Sequence, residues 1–248
     1  MARTLPTGRA CSSTASEGLQ MADDGTTASR AVTPLVPGPH HVAYRTTRTN
    51  VTALFTARPG AVDRPVPACP AWTVRELVTH LADICASVGG GPPARRSGTD
   101  PHLTDLLADW ARESERVETQ LAMGRRGNSS VLIMDAFSHE LDLRESLGDR
   151  PAPDDHPAYP IALDLVASGF SASVAAHRLP AVTIETDGGT WVAGPGRPVA
   201  SVRAPRYEML RSLTGRRSHD QLRTLDWSTD PKIWLPAFRW GPFTPPPG

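Results

Sequence analysis

The stretch Asp135–Gly148, DAFSHELDLRESLG, decides the fold. It reads as a helix, and Asp135, His139 and Asp142 fall four and three residues apart, on one ridge of it. Val131, Leu132 and Leu143 flank that ridge on one side, and Met134 and Leu141 on the other. Ile133 and Phe137 cover the back, and only Glu140, Arg144 and Glu145 read as solvated. A helix apolar on so many sides needs other elements around it, so the ridge faces a bundle interior or a cleft. Ionisable groups there must be paired or hold a metal. A carboxylate and an imidazole at i and i+4 can reach one ion, or they can form a local ion pair; spacing alone leaves both open.

Four further helices surround this one in the sequence. The first is expected from His40 to Ala57, stopped by Pro59 and Gly60. VDRPVPACPAW then reads as an extended connector, because each proline disfavours helix at itself and at the residue before it. WTVRELVTHLADI carries the clearest start signal. Thr73 is an N-cap, Glu76 completes a capping box, and Trp72 and Leu77 take the staple positions. Val74, Leu77, Val78, Leu81, Ile84 and Val88 share one apolar face, with His80 at its edge. GGGPPARRSG follows as a loop. A third helix is expected over about His102 to Met123, and Asn128 or Ser129 caps the fourth. A fifth runs from about Tyr159 to His177. His80 can supply a third ligand beside Asp135 and His139, leaving a position open as catalytic zinc sites do. His40, His41, His102, His156, His177 and His219 are assigned no role.

The pattern changes at Pro180. AVTIETD and TWVAG read as paired strands about a GG turn, VASVRAP as a third strand, and RYEMLRSLTGR as a short helix. The fold class is therefore α+β: an antiparallel four-helix bundle over 39–178, then a small α+β domain over 179–235. Residues 1–38, rich in Ser, Thr, Gly and Pro without apolar period, are expected to be a disordered tail, with Met21 a candidate start; 236–248 is an irregular tail.

Composition narrows the function. Net charge is +0, so no basic field points to nucleic acid. No run of 18 apolar residues predicts a membrane span. Cys11, Cys69 and Cys85 show no disulfide or zinc spacing, as in a reduced cytoplasmic protein. Nothing in the sequence sets a base beside Cys69 or Cys85 as a nucleophile. No nucleophile elbow, P-loop or dinucleotide fingerprint is present.

VPACPAWTVRELVTHLADI resembles the second-helix motif of the mycothiol-dependent maleylpyruvate isomerase family, a branch of the DinB-like helical-bundle metalloproteins. HELDLRESLGDRP resembles its fourth-helix motif. DGGTWVAGPG and APRYEMLRSLTGRRSHDQLRTLDWSTDP are similar to its C-terminal domain, with a Leu-Thr-Gly-Arg-Arg signature at 213–217. The resemblance implies a divalent metal, usually zinc, on His80, Asp135 and His139, and mycothiol as a cofactor that ligates the metal through its thiolate. It implies basic contacts to the cofactor at Arg216 and Arg217. At position 135 the family usually has Glu; Asp is one methylene shorter and draws the ion nearer the helix. The implied chemistry is attack of a thiolate on a small electrophilic substrate, isomerase-like or S-transferase-like, in a monomer or homodimer without nucleic-acid or membrane partners. The alternatives are a non-catalytic metal-binding or sensing module, and a structural dimer whose ridge is only an ion-pair network.

Overall fold

Capping, proline and glycine signals set most element boundaries. A computed structural model of the chain describes residues 39–90, 103–124 and 129–247. The expected tail 1–38, Met21, His102, Asn128 and most of the GGGPPARRSG loop lie outside the described residues. The chain forms two compact units, which divide between residues 165 and 166, inside the fifth helix.

In the first unit, α1 (His40–Thr56) leads through an extended segment into α2 (Val74–Gly89). That segment is more ordered than its prolines suggest. Pro65–Val66 (β1) and Cys69–Thr73 (β2) pair antiparallel, with Pro65 opposite Thr73 and Val66 opposite Cys69. Proline is compatible with so short an edge ladder, where few N–H groups are needed. α3 (Leu103–Ala122) and α4 (Ser129–Leu147) complete a four-helix bundle in which α1 and α2 each pack on both α3 and α4. Val74, Leu77, Val78 and Leu81 are buried as the apolar face requires, but Cys85 is in the core whereas Ile84 and Val88 are half-buried. The indole N–H of Trp110 donates to the Tyr44 hydroxyl at 3.1 Å, satisfying two buried polar groups at once.

Glu140 is not solvated, contrary to expectation; its side chain is fully buried. Its Oε1 accepts from Asn50 Nδ2 at 3.0 Å and from Arg144 Nε at 2.8 Å. Its Oε2 lies 3.3 Å from Nε2 of His156, a histidine to which the sequence assigned nothing. His156 is buried and stacks on Phe137 at 4.4 Å. An i, i+4 Glu–Arg pair looks like a surface pair in sequence; here the segment after α4 folds back over it.

α5 (Ala158–Ala176) is long and apolar enough by composition to cross a membrane, yet most of it is buried within the protein. The second unit holds its C-terminal part and a four-stranded sheet of order β4-β3-β5-β6. β3 (Val182–Thr186) and β4 (Gly189–Ala193) form a hairpin about Asp187 and Gly188, one residue earlier than expected. β5 (Ala200–Arg203) runs parallel to β3. α6 (Arg206–Leu213) and α7 (His219–Arg223) follow, and β6 (Asp226–Trp227), too short to read from pattern, pairs antiparallel with β5. The tail is not wholly irregular: Leu235–Phe238 is a 3₁₀ turn, and Trp240 bridges Phe243. The Trp240 ring occupies the space above Gly169, where an added Cβ would meet it at 2.1 Å.

Candidate metal centre

The second helix starts where its cap dictates, and that start places His80. Thr73 Oγ1 accepts from the Glu76 backbone N–H at 3.3 Å, and Glu76 Oε2 accepts from the Thr73 N–H at 2.7 Å. Two otherwise orphaned donors are thereby satisfied, and the helical phase is fixed from Val74 onward. His80 falls two turns in, facing α4. On α4 the i, i+4 spacing stacks Asp135 and His139 on the face that meets α2.

The three side chains converge. Asp135 Oδ2 lies 3.6 Å from His80 Nε2, and Asp135 Oδ1 lies 3.7 Å from His139 Nε2. One ligand atom from each of His80, Asp135 and His139 falls within 4.8 Å of the others. These separations exceed good hydrogen-bond lengths. They are close to what one ion needs, because metal–ligand bonds of about 2.0–2.1 Å in tetrahedral array set ligand atoms roughly 3.4 Å apart. The donor set of two imidazoles and a carboxylate fits zinc and its borderline neighbours. The shorter carboxylate of Asp135 therefore still reaches both imidazoles.

Asp142, the third member of the ridge, takes a different part. Its fully buried carboxylate accepts from His139 Nδ1 at 3.0 Å. An ionised carboxylate only accepts; with Asp142 in that form the proton lies on Nδ1, and the lone pair of Nε2 faces Asp135 and His80. This is the carboxylate–histidine arrangement that orients metal-binding imidazoles. The expectation that Cys69 takes part in no disulfide is not met: Cys69 is disulfide-bonded, and its sulfur lies within 4.8 Å of ligand atoms of His139 and Asp142. Cys85 is a core residue. Burial, more than any neighbour, pushes its thiol from 9.0 up to about 11, which suits packing beside Tyr44 rather than nucleophilic work. The other residue that sequence reasoning placed without seeing its role is Trp72. Its ring lies 4.9 Å from that of His80 and 5.8 Å from that of His139.

Arg216 and Arg217 belong to the second unit. Arg217 forms a two-pronged pair with Glu208, Nε to Oε1 at 2.5 Å and Nη2 to Oε2 at 3.0 Å. Arg216 donates to the Thr214 carbonyl at 2.7 Å and lies over the Phe243 ring.

The model of the mycothiol maleylpyruvate isomerase N-terminal domain matches residues 44–179. Among solved structures, the chain is similar to a histidine-to-alanine mutant of the mycothiol-dependent maleylpyruvate isomerase. The TM-score is 0.51 and the identity 12%, over 77% of this chain and 92% of that one. At that identity the likeness speaks for the fold. No curated protein sequence matches the chain.

Proposed function

Because this chain belongs to the mycothiol maleylpyruvate isomerase family, we propose that it is a metal-dependent enzyme that uses mycothiol on a small electrophilic substrate, isomerase-like or S-transferase-like. The observation that carries this reading is the convergence of His80, Asp135 and His139 with Asp142 behind His139. Those three would hold a divalent metal, zinc by preference. Bound by three protein groups, such an ion keeps a position open and lowers the pKa of a thiol there, supplying a nucleophile at neutral pH. Asp142 keeps the Nδ1 proton of His139 in place, so that this imidazole remains a donor through Nε2. Asp135 sets negative charge between the two imidazoles. Arg216 and Arg217 are the residues proposed to meet the cofactor. The chain would act in the cytoplasm, as monomer or homodimer.

Elemental analysis should find about one divalent ion per chain in wild type and none in His139→Ala. In cobalt-substituted protein, mycothiol at neutral pH should raise an intense near-ultraviolet charge-transfer band, absent from His80→Ala. One observation favours a second reading, a non-catalytic metal-binding module: the Arg217 guanidinium is already matched by Glu208. A cobalt spectrum indifferent to every thiol would prefer that reading. A chain that takes up no metal at all would leave the ridge as an ion-pair network.

A further inference from the structure

The two imidazoles of the site are held differently. His139 has Asp142 on its second nitrogen. Among the described residues, no hydrogen-bond acceptor is seen on Nδ1 of His80; its ring contacts are with Trp72 at 4.9 Å and with His139, edge-on, at 5.2 Å. The three rings form a closed triangle, with Trp72 and His139 5.8 Å apart. The backbone immediately after Trp72 is held by pairing and hydrogen bonds. Thr73 pairs across the hairpin with Pro65, its N–H is taken by Glu76, and the next N–H, of Val74, donates to the Arg64 carbonyl at 2.9 Å. The backbone that carries the indole is thereby held, and the ring lies against both imidazoles.

Resting on the metal reading above, we propose that Trp72 is a positioning residue for the metal: it does for His80 what Asp142 does for His139. A histidine with no acceptor on its second nitrogen rotates about its Cβ–Cγ bond unless packing stops it, and each rotation takes Nε2 away from Asp135. The indole stops it. It also favours the ring when a bound cation makes that ring electron-poor, since an aromatic quadrupole attracts positive charge within about 6 Å.

The test is zinc affinity, read by competition with a chromophoric chelator. Trp72→Leu removes the ring and should weaken binding about 10–100-fold, the usual cost of losing an orienting neighbour. Trp72→Phe keeps a ring and should stay within roughly three-fold of wild type by the same reasoning. On a His80→Ala background, Trp72→Leu should cost nothing further, because its effect runs through His80. Trp72→Leu at wild-type affinity, or an equal loss on the His80→Ala background, overturns the proposal. If Trp72→Leu does not fold, Trp72→Met, flexible and bulky, takes its place with the same expectations. Wild type that takes up no zinc overturns the metal reading itself, and this proposal with it.

Discussion

A single carboxylate decides which nitrogen of His139 faces the site. Asp142 is fully buried and 3.0 Å from Nδ1, so its removal should leave every ligand in place and still weaken the metal. Asp142→Ala is expected to lower zinc affinity about 10–100-fold by calorimetric titration, and Asp142→Asn, which keeps an acceptor, by less. Cys85 makes the opposite kind of prediction, about what a residue does not do. Burial pushes its thiol from 9.0 up to about 11, and the Tyr44 hydroxyl beside it is raised well above its ordinary value by the same cause. Below pH 9 the thiol is protonated in both folded and unfolded chains, and the folded state keeps its full advantage. Between about 9 and 11 the unfolded chain ionises first, so stability falls as pH rises through that window. Denaturant titrations from pH 8 to 11 should show that fall, less steep in Cys85→Ala. Alkylating reagents at pH 7 should leave Cys85 unmodified until the chain unfolds.

At the scale of elements, the capping box is the feature read most directly from the sequence. Thr73 and Glu76 bond each other as the spacing demands. Thr73→Ala should cost about 1 kcal/mol in chemical denaturation, the usual loss at an N-cap. Because His80 sits two turns from that cap, the same change should also lower zinc occupancy. The long helices were legible for the same reason: α1, α2, α3, α4 and α5 begin and end within a residue or two of their expected limits. Short strand pairings were not. β1 with β2 was hidden by its prolines, and β6 is two residues long. Glu140 looked like the outer half of a surface pair because a helix pattern records only its own neighbours; Asn50 and His156, far away in the chain, are what make it a core residue. In the site, the ridge was legible from its spacing. The different placing of Asp135 and Asp142 was not, since both carboxylates share a helix face with His139; in the structure Asp142 meets its Nδ1 and Asp135 faces its Nε2.

For the molecule as a whole, the metal is expected to act as a folding ligand. Zinc at about 100 times its dissociation constant should raise stability by about 2.7 kcal/mol if the unfolded chain binds it weakly, and a chelator should reverse the gain. Thermal melts with and without zinc, in wild type and in His80→Ala, check this; a shift of equal size in the variant would place the ion elsewhere. Weak binding to the unfolded chain is expected from where the proposed ligands lie. Asp135 and His139 are neighbours on α4, but His80 belongs to α2, and the whole of α3 is threaded between them. An unfolded chain offers the ion two adjacent arms and must close a loop of about 55 residues, from His80 to Asp135, to offer the third, at an entropic cost that grows only slowly with length. Once that loop is closed, the ion is a clasp across a cut. If the backbone is severed within α3, the N-terminal and C-terminal fragments should remain together through a column while zinc is present. They should separate when it is withdrawn, as the two halves of a reduced disulfide would.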